Sequence, residues 1–298
     1  MLQRLKLYAQ LTRLDKPVGT LLLLWPTLWA LLLAAAPAWP SVLNLGVFIA
    51  GVVLMRSAGC AINDYADRHI DPHVARTCTR PLAAGLIHPW EALAVFAALS
   101  LIAFALVFLL NPLTQQLAVI GLVLAASYPF MKRLHHLPQL HLGIAFAWAV
   151  PMAYAAQSGQ FNLTALLLFL ATVTWTIAYD TMYALADRED DLKIGVKSTA
   201  ILFGKYDRLI IGLLQISTLL ILGAVGQIHK LGLAYTLSLL VALGLSLWQQ
   251  WLIRAYEPAA CIRAFKNNQW LGAVVLLGLI ASLTLGEFQA ATSTPNPR

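Results

Sequence analysis

The sequence predicts an all-α membrane protein of about nine transmembrane helices, two four-helix pseudo-repeats followed by a ninth helix. Composition is the first reason: 60% of the 298 residues are hydrophobic and 11% are charged, more apolar surface than a soluble core of that length can bury. Spacing is the second, because apolar runs of about 20 residues, the length that crosses the hydrocarbon region as a helix, recur from end to end. The third is charge, which gathers in alternate links.

Residues 1–17 form a basic, amphipathic N-terminus. The run after them has no small-residue cleavage site and is long enough to span, so it reads as a retained first helix. Apolar windows place the nine spans at 18–36, 41–62, 91–110, 113–129, 138–157, 163–185, 209–228, 231–252 and 269–287. Short links carrying Pro or Asn, such as Pro37 to Pro40 and Asn111-Pro112, alternate with longer polar ones. The chain reads as a single domain spanning 1–298, with longer polar links at 63–90 and 186–208 and a flexible tail at 292–298.

Arg4, Lys6, Arg13 and Lys16 precede the first span, Arg68, Arg76 and Arg80 follow the second, and Lys132 and Arg133 follow the fourth. Five more basic residues between Arg188 and Arg208 follow the sixth, and Arg254, Arg263 and Lys266 follow the eighth, so 17 of the 20 lie on one side. By the positive-inside rule that side and the N-terminus are cytoplasmic, and nine spans put the C-terminus on the far side. The net charge of +7 then reports orientation, with no nucleic-acid partner implied. Cys60, Cys78 and Cys261 are scattered and odd in number, without the spacing of a zinc site or a disulfide framework.

Helices two and six run in the same direction, and each ends in an Asp-rich stretch, which is the basis of the pseudo-repeat. Together the two stretches hold 8 of the 13 acidic residues. In the first, Asp64, Asp67 and Asp71 are spaced i, i+3, i+7, with Asn63 one turn before Asp67. If the second helix continues past the membrane, these groups share one face. In the second, Asp180, Asp187 and Asp191 return to nearly one azimuth.

Each stretch is then a stripe of oxygen ligands. Parallel carboxylates repel where water is scarce, so a neutralising partner is expected. Hard divalent cations fit, and Mg²⁺ takes one or two carboxylates together with waters and phosphate oxygens. Two facing stripes would hold a diphosphate between metal ions, while Arg68, Arg76, Arg80, Lys193 and Lys197 add positive charge. Solvated loops whose acids and bases pair off would be the plainer explanation. Two similar clusters after helices of equal orientation argue against it.

Asn63-Asp64-x-x-Asp67-x-x-x-Asp71, running on through Arg76 and Arg80-Pro81, resembles the first signature of the UbiA superfamily of intramembrane prenyltransferases. Tyr179-Asp180-Thr181-x-Tyr183, followed by Asp187-Arg188-x-Asp190-Asp191-x-Lys193-x-Gly195-x-Lys197-Ser198-Thr199, resembles its second. Leu14-Asp15-Lys16-Pro17-Val18-Gly19, Leu24-Trp25-Pro26 and Tyr128-Pro129-Phe130-Met131-Lys132-Arg133 are similar to one branch, the bacterial 4-hydroxybenzoate polyprenyltransferases of ubiquinone synthesis.

The resemblance implies nine helices around a central cavity, capped by the cytoplasmic links at 63–90 and 186–208 and open sideways to lipid, with polyprenyl diphosphate and 4-hydroxybenzoate as substrates and Mg²⁺ as cofactor. It implies that Asn63, Asp67, Asp71, Asp187 and Asp191 bind the metal ions, with Asp64 and Asp180 as further ligands. Arg68, Arg76, Lys193 and Lys197 would then contact diphosphate oxygens. The faces of Tyr65, Tyr128, Tyr179 and Tyr183, near the cytoplasmic ends of their helices, could stabilise an allylic cation, although membrane interfaces also favour tyrosine.

Arg133 after helix four is the candidate for the acceptor carboxylate. Arg56 lies within helix two, seven residues before Asn63 and on the same face, and an intramembrane arginine reads as functional. It would pair with an acid of the site or with the acceptor carboxylate. Gly195-Val196-Lys197-Ser198-Thr199 lacks the first glycine and preceding strand of a P-loop, and His135, His136 and His141 lack nearby carboxylates for a metal site. A prenyltransferase with another acceptor (homogentisate, naphthoate or haem) is the nearer alternative. A divalent-cation transporter is the more distant one, since it would need carboxylates deep inside several helices.

Overall fold

The computed structural model describes residues 2–74, 76–128 and 131–286. Among them are thirteen α-helices and no strand: α1 (Leu2–Leu11), α2 (Val18–Ala35), α3 (Val42–Asp67), α4 (Pro89–Val107), α5 (Pro112–Ser127), α6 (Met131–Leu134), α7 (Pro138–Ala147), α8 (Ala149–Ser158), α9 (Leu163–Ile194), α10 (Thr199–Phe203), α11 (Asp207–Ile228), α12 (Leu233–Leu252) and α13 (Pro258–Thr284). The polar residues of the short links start the helices. Ser41, Asn111 and Asn162 each accept a backbone N–H of the first turn, at 3.1, 2.9 and 3.2 Å, ahead of α3, α5 and α9.

Among the described residues, 7 helical segments are long and apolar enough to cross a membrane: Val18–Ala35, Val42–Asp67, Pro89–Val107, Leu163–Ile194, Thr199–Ile228, Leu233–Ala255 and Pro258–Thr284. The other two apolar windows hold α5, which is shorter, and the pair α7 and α8. The chain breaks between α7 and α8 because Pro151 has no N–H to offer the carbonyl of Ala147 and its ring crowds the preceding turn.

α9 is the central post, packing on α7, α11 and α13, while α2 packs on α8 and α13, α3 on α4, and α12 on α13. Trp29 of α2 stacks on Trp175 of α9 at 5.4 Å, and both indole N–H groups are satisfied on α13, at the Gly272 carbonyl and the Asn268 side chain. Gly272 is required there, because a Cβ would lie 2.3 Å from Trp25 and 2.7 Å from Trp175. Farther out, Gln215, Gln249, Gln250 and Asn267 hydrogen-bond one another across α11, α12 and α13, the kind of interhelical pairing that apolar surroundings favour. Large apolar side chains such as Leu101, Leu213, Leu220, Leu240 and Leu247 point outward. With the apolar spans, that outward face makes the chain a multi-pass integral membrane protein.

Two helix ends differ from the sequence expectation, and both shape the site. α3 stops at Asp67, so Asp71 opens a 3-10 turn (Asp71–His73) instead of continuing a helical stripe. Pro72 prevents an α-helix from continuing through this point, since it has no N–H for the Arg68 carbonyl and its ring crowds that turn. Conversely α9 does not end near 185 but runs on to Ile194, for 32 residues. At 1.5 Å per residue that is about 48 Å, against about 30 Å of hydrocarbon, so its last turns project beyond the apolar slab. Gly195, at φ 71°, then ends α9.

Candidate active site

The end of α3, the turn after it and the last turns of α9 converge on one cavity of about 150 Å³. One wall carries Asn63, Asp67 and Asp71, and the facing wall carries Asp180, Asp187 and Asp191. Arg76, Arg80 and Lys197 supply the cations, Tyr128 and Tyr183 the rings, and Gln139 and Ser198 the neutral polar groups. The charged and polar lining suits a hydrated, highly charged group.

Guanidinium groups balance the carboxylates. Arg76 bridges the walls, its Nε donating to Asp187 Oδ1 at 2.9 Å and its Nη2 to Oδ2 at 2.5 Å, while its guanidinium lies 4.4 Å over the Tyr183 ring. Arg80 Nη1 donates to Asp71 at 2.9 Å and to Asp64 at 3.1 Å. Burial opposes the charge on both arginines, but at Arg76 the hydrogen bond to Asp187 and at Arg80 the fields of Asp64 and Asp71 outweigh it. The pKa of each lies above the ordinary arginine value, and both stay charged. Asn63 Nδ2 donates to Asp67 Oδ2 at 3.2 Å, so its amide oxygen can turn toward the cavity.

Among the described residues no three His, Cys, Asp or Glu side chains are close enough to hold a metal by themselves. The donors are carboxylate and amide oxygens on two facing walls. That set fits a hard divalent ion sharing its coordination with waters and ligand phosphate, and does not fit a protein cage.

Not every candidate reaches the wall. Asp64 is turned away and held by Arg13 and Arg80. Tyr65 packs in a cluster with Leu11, Ala61 and Leu82, and Arg68 lies 4.4 Å over its ring and donates to its carbonyl. Tyr179 is buried edge-on against Trp175 and Phe265. Arg56 sits within α3, its Nη1 3.0 Å from Cys60 Sγ and its guanidinium 5.6 Å over the Phe146 ring, within the electrostatic reach of Asp180. Lys193 points to solvent beside Asp190 at 3.3 Å. The Arg133 side chain lies outside the described residues.

Sequence reasoning missed Arg13 and Gln139. Gln139 lines the cavity and accepts the backbone N–H of Thr199, fixing the link after α9 against α7. Neither residue falls in a repeated pattern. Arg80 was legible as charge, and its place on the wall needed the fold.

A profile of the UbiA prenyltransferase family matches residues 23–283. A 4-hydroxybenzoate octaprenyltransferase of Tolumonas auensis is 60% identical over 273 residues, covering 92% of this chain and 95% of that protein. One from Coxiella burnetii is 58% identical over 278 residues, covering 93% and 96%. Among solved structures, the apo form of a UbiA homolog from Aeropyrum pernix K1 superposes with a TM-score of 0.78 at 30% identity, covering 88% of this chain and 97% of that one. A UbiA homolog from Archaeoglobus fulgidus, solved with GPP and Mg²⁺, shares the fold at a TM-score of 0.71 and 17% identity, covering 93% of this chain and 99% of that one. Signatures, helix order and a match over most of its length agree, and the chain belongs to the UbiA prenyltransferase family.

Proposed function

We propose that the protein transfers a polyprenyl group from polyprenyl diphosphate to 4-hydroxybenzoate, at the ring carbon ortho to the hydroxyl, releasing diphosphate in ubiquinone biosynthesis. The observation that carries this reading is the cavity itself: two walls of oxygen ligands and three cations around one space, in a chain 60% identical to a 4-hydroxybenzoate octaprenyltransferase.

Asn63, Asp67 and Asp71 on one wall, and Asp180, Asp187 and Asp191 on the other, would hold Mg²⁺, which when bound draws negative charge onto the leaving group. Arg76, Arg80 and Lys197 bind the diphosphate oxygens and stabilise the same charge. The allylic C–O bond breaks with its electron pair leaving on diphosphate. The ring carbon forms the new C–C bond, and its proton is lost to water. Tyr128 presents its ring to the allylic cation, and Tyr183 could do so only once Arg76 leaves its face; Arg56 and Arg133 are the candidates to orient the acceptor carboxylate. The prenyl tail extends from the cavity into membrane lipid. The cavity faces the cytoplasm of a bacterial inner membrane, on the side of the N-terminus.

The test is a membrane assay with labelled 4-hydroxybenzoate, a ladder of prenyl diphosphates, and magnesium present or chelated. Product carrying one prenyl group beside the hydroxyl, formed only with the metal, is expected. Prenylation of homogentisate or a naphthoate in preference to 4-hydroxybenzoate would overturn the acceptor assignment.

A further inference from the structure

Asp64 belongs by sequence to the first acidic stripe, yet it does not line the cavity. Its side chain is 2% exposed, and both its oxygens accept from Arg13 Nη2, at 2.8 and 2.9 Å. Oδ1 also accepts from Arg80 Nη1 at 3.1 Å, and the same Nη1 reaches Asp71 at 2.9 Å. Two carboxylates and two guanidinium groups thus form a closed, neutral quartet of which only Arg80 and Asp71 touch the cavity.

Arg13 is fixed from its other side as well. It sits just past α1 with φ 58°, a left-handed conformation that a residue with a side chain adopts at a cost, and its Nη1 donates to the carbonyl of Gln10. α1 is in turn tied to α4, where Glu91 accepts from Arg4 at 2.8 Å and from Tyr8 at 2.5 Å. The strained turn therefore delivers one guanidinium to a buried carboxylate 51 residues away.

We propose that Arg13 is a positioning residue for the diphosphate site, neutralising Asp64 so that Arg80 stays with Asp71 at the cavity wall. Without Arg13, Arg80 is the one cation left in the quartet for two buried carboxylates. It is drawn toward Asp64, away from Asp71 and from the ligand. Asp64 is then an anchor for cations and not a ligand of the metal. This inference rests on the proposed diphosphate donor.

Binding of inorganic diphosphate with Mg²⁺ to the purified full chain in detergent, followed by calorimetry, tests it without an acceptor. Arg13→Gln is expected to bind about tenfold more weakly, as neighbours sharing one ion-pair network do. Arg13→Gln/Asp64→Asn removes both outer charges, leaves Arg80 paired with Asp71, and should recover to within about threefold of wild type. Melting temperature is read alongside, and Arg13→Met replaces Arg13→Gln should the latter not accumulate. Unchanged affinity in the folded single variant, or a double variant as weak as the single, overturns the proposal. Absence of diphosphate binding by the wild type overturns the donor reading with it, so the two failures are distinguishable.

Discussion

On the α3 side of the cavity Asp64 and Asp71 are 2% and 7% exposed and share two arginines, one of them delivered from the N-terminal turn. On the α9 side Asp187 is 14% exposed and bound to Arg76, while Asp190 is 31% exposed beside Lys193. The charges of the first wall are balanced inside the protein. The second stands on helix turns that project beyond the apolar slab, where water does part of the balancing. Internal ion pairs fix one wall, and the proposed function has the other, held to it by Arg76, exchange that partner for metal and phosphate.

The largest effect should come from removing a carboxylate from either wall. Asp67→Asn and Asp191→Asn are each expected to lower turnover by about 10³-fold, the scale of losing charge stabilisation at a reacting phosphate. Both proteins should remain in the membrane. Prenyl transfer measured across a magnesium titration checks this. If Asp191→Asn regained activity at high magnesium and Asp67→Asn did not, the contrast between fixed and adjustable walls would sharpen. Wild-type turnover in both would break it.

Next comes the bridge between the walls. Arg76→Lys keeps the charge but loses the two-pronged contact with Asp187, and is expected to raise KM for prenyl diphosphate by about tenfold. Stability should change by less than about 1 kcal/mol, because the pair is partly exposed and the charge is retained. A fall in kcat with KM unchanged would place Arg76 at the transition state alone and remove it as the tie between walls.

The sequence showed the class, the topology of charge and the two signatures, because apolar length and the sign of a link are local properties. It also named most residues on the wall. Its errors of placement share one cause: spacing along a helix does not by itself say where the packing leaves a side chain. Asp64 was read onto the stripe with Asp67 and Asp71, but within α3 its carboxylate turns to Arg13 while Asp67 lines the cavity. Tyr65 and Arg68 look like site residues by proximity in sequence, yet they stack on each other away from the cavity. Arg13 carries no pattern because its partner lies 51 residues away, and only the packing of α1 on α3 brings the two together.

The smallest expected effect tests the same point on the second wall. Lys193 and Lys197 are four residues apart, which on a continuing helix would put both at the diphosphate. Gly195 at φ 71° ends α9 between them. Lys193 is left 70% exposed beside Asp190, while Lys197 is carried to the cavity, where its Nζ lies 3.3 Å from the Leu134 carbonyl. An exposed pair of that kind contributes about 0–1 kcal/mol, so Lys193→Ala should leave KM for prenyl diphosphate within about twofold of wild type. Lys197→Ala should raise it by more. Equal effects of the two substitutions would mean that α9 runs past Gly195 when substrate is bound, and that the adjustable wall extends one turn further than the α3 wall it faces.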